Sequence, residues 1–196
     1  MLKIINSLPT TYYKLLDIGA REKELKNVLP KNIQYFSLDI VGKQDYICDL
    51  EKEKIPVKKE SFDIVICLET LEHISNPYKA MKEILRIAKK DALFIMSMPN
   101  EYNFILRFYY LIGKKTDMQK PFKIVSKHLH IHTPRVKDIL SFFSEYIKIE
   151  EKYYYWQSQA SKTNNLAYSV DKLINQLAKI YPSLFSRIVV IKGKRK

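Results

Sequence analysis

The sequence predicts an α/β fold with a Rossmann-like, doubly wound and mostly parallel sheet, on three observations. Short apolar runs rich in β-branched and aromatic residues alternate with helical patterns between residues 14 and 98, which is the signature of βαβ units. The run at residues 62–68, Phe-Asp-Ile-Val-Ile-Cys-Leu, is almost continuously apolar, as a parallel strand covered on both faces should be. Glycine is scarce, and one of the four, Gly19, falls directly after the first apolar run. A glycine there allows a tight strand-to-helix turn and a close ligand approach.

The elements follow in order. Strands are predicted at residues 14–18, 33–40, 46–50, 62–68 and 93–98. Helices are predicted at 22–29 and 77–89; in the second, Ala80, Met81, Ile84, Leu85 and Ala88 recur at helical spacing. Past Pro99 the rhythm changes. Residues 103–112 are aromatic and apolar, 114–127 are polar and loop-like, and 134–143 form a helix with Pro134 in its first turn. Two late strands are predicted at 146–155 and 188–192. The stretch between them, 158–181, reads as a helix with Leu166, Val170, Leu173, Ile174 and Leu177 on one side. With no internal repeat or low-complexity linker, residues 1–196 read as one domain, and 99–135 as a lid or insertion on its acceptor side.

Composition narrows the class. The chain has 196 residues, 46% hydrophobic and 28% charged, which excludes a disordered chain and suits one ordinary core. The longest nearly apolar run, residues 104–112, is interrupted by Arg107 and is short of the ~20 residues needed to span a bilayer. The start lacks the pattern of a signal peptide, and Cys48 and Cys67, each within an apolar run, read as buried thiols rather than a disulfide or zinc site. A cytoplasmic location, with contact at the inner face of the membrane as an extension of it, is the expectation. The formal charge is +13, but 28 of the 34 basic residues are Lys and they are spread along the chain. Nucleic-acid readers favour clustered Arg, so a compositional bias explains this charge at least as well as an RNA footprint. Residues 192–196 read as a solvated tail.

Acidic residues stand at the carboxyl end of each early strand: Asp17, Asp39 and Asp49. In an open α/β sheet those ends line the ligand crevice, and an acid about 20 residues past the glycine turn accepts hydrogen bonds from a ribose. Three converging carboxylates suit a cationic, hydroxyl-rich ligand better than a polyphosphate. Four histidines supply the candidate bases. His73 follows the fourth strand, while His128, His130 and His132 alternate and share a face if extended.

Taken together, Leu15-Leu-Asp-Ile-Gly19, Ser37-Leu-Asp39, Cys48-Asp-Leu50, the run from Phe62 to His73, Ser97-Met-Pro-Asn100 and His132-Thr-Pro-Arg135 resemble class I S-adenosylmethionine-dependent methyltransferases of the type 11 group. The resemblance implies a sheet with an antiparallel late strand and S-adenosyl-L-methionine as cofactor. It places Asp17, Gly19, Ala20 and Arg21 at the methionine part, Asp39 at the ribose and Asp49 at the adenine amino group. Ile40, Leu50 and Leu68 would pack on the adenine faces. The family usually continues Asp-x-Gly-x-Gly, and here Arg21 replaces the second glycine. Its side chain either narrows the methionine pocket or sets a guanidinium against the cofactor carboxylate.

The resemblance implies transfer to a hydroxyl or similar nucleophile of a small-molecule, glycan or lipid-linked acceptor, with His73 and His128 as catalytic candidates. The leading reading has no metal. The lesser one uses Glu69, Glu72, His73 and His128, a set similar to the divalent-metal ligands of small-RNA 2′-O-methyltransferases and ubiquinone-pathway O-methyltransferases. Against it, Glu69 can simply contact the cofactor pocket and Glu72 can cap the next helix. The alternatives for the whole protein are a metal-dependent RNA 2′-O-methyltransferase and a non-catalytic module with a degraded cofactor loop. Residues 102–112 read either as a helix covering the sheet or as an apolar acceptor wall or membrane-facing segment, the latter assisted by Lys114, Lys115, Lys120 and Lys123. Residues 153–156 read as an aromatic strand end able to stack a sugar or base.

Overall fold

A computed structural model describes Ile5, Pro9 and residues 11–114 and 130–196. Seven strands form one sheet: β1 (Tyr13–Ile18), β2 (Ile33–Asp39), β3 (Tyr46–Ile47), β4 (Phe62–Cys67), β5 (Ala88–Pro99), β6 (Ile147–Tyr155) and β7 (Ile188–Arg195). Their order is β3-β2-β1-β4-β5-β7-β6. β1 pairs in parallel with β2 on one side and β4 on the other, so the direction of winding reverses between β1 and β4. β7 runs antiparallel to both of its neighbours, β5 and β6. The predicted sheet, with its inverted late strand, is the one observed.

Alternation along the strands builds a core on each face. Leu16, Ile18, Val65, Phe94 and Met96 point to one side, where α1 (Pro77–Ile87) and α3 (Val136–Tyr146) contribute Ile84, Ile87, Ile139 and Phe143. Leu15, Ile64, Ile66 and Ile95 point to the other, where Leu25 covers them. α1 starts where its sequence permits: the Asn76 side chain accepts from the Lys79 amide at 3.0 Å, and Pro77 occupies the first turn. Cys48 and Cys67 are free and buried. Among the described residues no helix is long and apolar enough to cross a membrane.

Several boundaries differ from the sequence reading. The helix predicted at 22–29 is a short 3-10 turn, Glu24–Val28, and the third strand keeps two residues. β5 begins at Ala88, where the helical pattern of 77–89 still runs, because Phe62 pairs with Ala88 ahead of the regular ladder. α3 is capped by the reciprocal Arg135–Asp138 pair rather than opened by Pro134. The aromatic run forms α2 (Phe104–Leu111), none of whose residues is buried, so it is not a core helix.

The largest correction concerns α4 (Asn165–Ile180), which α5 (Pro182–Phe185) follows. Its apolar stripe faces outward, with Leu166 at 74% and Leu173 at 63% exposure, while Asp171 turns inward. Asp171 is tolerated there because it accepts hydrogen bonds from Trp156 Nε1 at 3.1 Å and from the Ser158 amide at 2.7 Å.

Candidate functional site

The loop after β1 is shaped by one glycine. Gly19 has φ +77°, and a Cβ there would lie 2.2 Å from Thr70 Oγ1. Thr70 donates to the Leu68 carbonyl at 2.9 Å, so the loops that follow β1 and β4 touch at Gly19. The amides of Gly19 and Ala20 both donate to the Leu38 carbonyl, at 2.8 and 3.2 Å, which ties the turn to β2. At the end of β2, Asp39 accepts from the Ile40 amide at 2.7 Å and the Arg21 amide at 3.0 Å. Arg21 adopts φ 42° without being glycine, a conformation costing roughly 1–2 kcal/mol. Asp39 on its N–H and Gln44 Nε2 on its carbonyl, at 2.9 Å, hold it there. The Arg21 side chain is exposed rather than packed into the crevice.

Asp17, at 9% exposure, accepts from the Tyr35 hydroxyl at 2.8 Å. Burial pushes its carboxyl up to about 6, against the lowering effect of Tyr35 and with a further upward push from Asp39. Asp49 is half-buried and pairs with Lys52 at 3.1 Å. Of the three predicted adenine contacts, Leu50 is inside the core, Leu68 is half-buried and Ile40 is 48% exposed. Glycine, backbone amides and three acids at successive strand ends fit a nucleoside carrying an amino acid.

A second cluster lies beyond β4. Glu69 is held at φ 50°, with its amide donating to Ser97 Oγ at 3.1 Å and Ser97 Oγ donating back to Glu69 Oε1 at 3.0 Å. Strain at such a residue marks a place where the fold overrides local preference. Glu72 is completely buried, and among the described residues neither carboxylate oxygen has a hydrogen-bond partner. It is not a helix cap; Asn76 takes that role. Burial first, then Glu69 and Glu101, push its carboxyl up to about 8.

Two histidines flank Glu72, and the second is His130. Its Nε2 lies 3.9 Å from Glu72 Oε1, its Nδ1 lies 2.6 Å from Glu101 Oε1, and its ring meets that of His73 at 4.9 Å between centroids. The segment is docked by backbone, since the amides of Ile131 and His132 donate to the Glu72 carbonyl at 2.9 and 3.1 Å. His132 turns aside to the Ile74 carbonyl at 2.8 Å. His128 lies outside the described residues, as do Lys115, Lys120 and Lys123. Donor atoms of Glu72, His73 and His130 all fall within 4.8 Å of one another, a spacing a single cation can span, while Glu69 is not among them. Glu101 was not singled out in the sequence, although it follows the strand that ends at Pro99.

This sheet order and these acid-tipped strands define a class I methyltransferase fold. Residues 16–96 match the family described as a methyltransferase domain. The chain is 33% identical over 63 residues to the ubiquinone biosynthesis O-methyltransferase of Glaesserella parasuis, a match covering 32% of this chain and 27% of that protein. Among solved structures, a SAM-dependent methyltransferase of Thermotoga maritima superposes with TM-score 0.61 at 16% identity, covering 100% of this chain and 87% of the other. One from Archaeoglobus fulgidus gives 0.57 at 17% identity, covering 98% and 90%. These two likenesses concern the fold.

Proposed function

We propose that the protein binds S-adenosylmethionine in the crevice at the ends of β1, β2 and β4 and methylates an acceptor hydroxyl. The observation that carries this is the contact of Gly19 with Thr70, which joins the acid-lined cofactor loop to the Glu69–His73 segment. In this reading Asp17 and the Gly19–Arg21 loop hold the amino-acid part and Asp39 the ribose. Arg21, exposed beside the loop, offers its guanidinium to the cofactor carboxylate. When bound, the cofactor supplies a methyl carbon whose bond to sulfur breaks, leaving the electron pair on sulfur, as the acceptor oxygen forms the new carbon–oxygen bond. His130 receives the hydroxyl proton, with Glu101 fixing its ring. The name of the Glaesserella parasuis relative supports oxygen as the methylated atom.

A second reading rests on the two oxygens of Glu72, which have no hydrogen-bond partner among the described residues. A buried carboxylate without partners is costly, and a divalent cation held by Glu72, His73 and His130 would remove that cost. Such an ion would supply acidification of the acceptor hydroxyl.

Calorimetry with S-adenosylhomocysteine tests the main reading. Micromolar binding is expected, and Asp39→Ala should weaken it at least tenfold in a protein that still melts cooperatively. Unchanged affinity in that variant overturns the ribose assignment, and no binding by the parent chain overturns the function.

A further inference from the structure

Helix α4 is turned inside out for a helix that covers a sheet. Leu166, Val170, Leu173, Leu177 and Ile180 follow one another at steps of four and three, which makes a single stripe along it. Leu166, Leu173 and Ile180 are 74, 63 and 67% exposed. The polar residues of the inner side lock this orientation. Asp171 accepts from Trp156 Nε1 and from the amide and hydroxyl of Ser158, at 3.1, 2.7 and 3.1 Å. Asn175 accepts from the Trp156 amide and donates to the Trp156 carbonyl, both at 2.8 Å. Rolling the helix to bury its stripe would break all five bonds, so the apolar side is left outward.

The second exposed apolar helix, α2, adjoins it. Phe104 of α2 stacks on Trp156 at 4.9 Å, and Arg107 Nη2 donates to the Ser183 carbonyl of α5 at 3.3 Å. Beyond those contacts Phe108 and Leu111 are 57 and 82% exposed. The charge of the two segments is one-sided. Across residues 102–114 and 157–187 the sole acid is Asp171, which is buried. Lys114, Lys162, Lys172 and Lys179 are exposed there, and no salt bridge among the described residues engages them. Tyr168 and Tyr181 stand exposed at the two ends of α4.

We infer that α4, extended by α2, is a docking face for the surface of an anionic lipid bilayer. Its leucines enter the boundary between headgroups and acyl chains, where the tyrosines present an apolar ring and a polar tip. The lysines meet lipid phosphates, and no exposed acid opposes them. A second copy of the chain fits less well, because its lysines would face these lysines with nothing to pair them. A nucleic acid would satisfy the lysines and leave Leu111, Leu166 and Leu173 without a counterpart. The inference goes beyond the methyltransferase reading and does not depend on it.

Co-sedimentation of the full chain with vesicles tests it. One set of vesicles is phosphatidylcholine alone; the other holds equal parts of phosphatidylcholine and phosphatidylglycerol. At least tenfold tighter binding to the anionic set is expected, weakening as salt is raised. Leu111→Gln with Leu173→Gln changes no charge and should weaken that binding at least tenfold. Lys172→Glu with Lys179→Glu should do the same. Val28→Glu, an exposed position ahead of β2 and outside both helices, should bind as the parent does. All these substitutions are on the surface, and each variant is required to melt within a few degrees of the parent. No binding to anionic vesicles, equal binding to both sets, or parental binding by the leucine variant overturns the proposal. So does a dimer in sedimentation velocity that the leucine variant dissociates while the parent ignores vesicles, since the face then belongs to a second copy. S-adenosylhomocysteine calorimetry on the same samples keeps the two readings apart: vesicle binding without cofactor binding removes only the methyltransferase reading, and the reverse removes only the docking face.

Discussion

Asp17 carries a conflict between stability and binding that one substitution can expose. Its carboxyl titrates at about 6 in the fold against an ordinary 3.8, because burial disfavours the charge more than Tyr35 supports it. Below about pH 4 the folded and unfolded chains both hold this proton and the contribution to stability is fully favourable. Between about pH 4 and 6 only the folded chain holds it, so stability falls as pH rises, and above 6 the whole cost is present. Asp17→Asn leaves Tyr35 an acceptor and removes the charge. We expect it to stabilise the protein at pH 7.5 by about 1–3 kcal/mol and to flatten thermal stability between pH 4 and 6. The same variant should lose at least tenfold in S-adenosylhomocysteine affinity by calorimetry. A less stable variant at pH 7.5 would refute this account of Asp17.

β7 shows how one residue governs an element. It lies between β5 and β6 and is hydrogen-bonded to both. Where β6 shifts register between Ile149 and Glu151, the chains approach so closely that a Cβ on Gly193 would lie 2.3 Å from the Lys148 carbonyl oxygen. That atom is backbone and cannot swing away. Gly193→Ala should therefore cost about 1–3 kcal/mol, read as a lowered Tm and denaturant midpoint. Cofactor affinity should be unchanged, since Gly193 pairs with Phe94, in the middle of β5 and five residues short of the carboxyl end where the crevice lies. The element α4 makes the complementary point. Its apolar periodicity marked it as a helix, yet tertiary contacts, not periodicity, chose the face that Trp156 and Asp171 share.

On the scale of the whole molecule, the Glu72–His73–His130 group joins residues distant in sequence, so an ion there binds the folded chain and not the unfolded one. Such a ligand raises stability by mass action, about 2.7 kcal/mol at one hundred times its dissociation constant. If the cation reading holds, millimolar Mn²⁺ raises Tm by several degrees. Glu72→Gln abolishes that rise, and in chelator it melts above the parent because a buried carboxylate with no hydrogen bond among the described residues is gone. A Tm indifferent to Mn²⁺ and Mg²⁺ removes the cation and leaves His130 with Glu101 as the base.

Legible in the sequence were the alternation of strands and helices between residues 14 and 98, the apolar side of α1, the glycine turn and the acids that end the early strands. Each of these depends on local periodicity or on residues adjacent in the chain, where hydrophobic spacing and backbone sterics act directly. Only the tertiary structure decided that His130 meets Glu72 and Glu101, and that α4 turns its polar side inward. The three residues of that cluster are separated by whole elements, and the backbone bonds from Ile131 and His132 to Glu72 set their distance. Likewise Arg21 keeps a glycine-like conformation because Asp39 and Gln44, from other segments, hold it. Contacts of that kind leave no periodic trace in the chain, since the energy that fixes them appears only once the sheet has assembled.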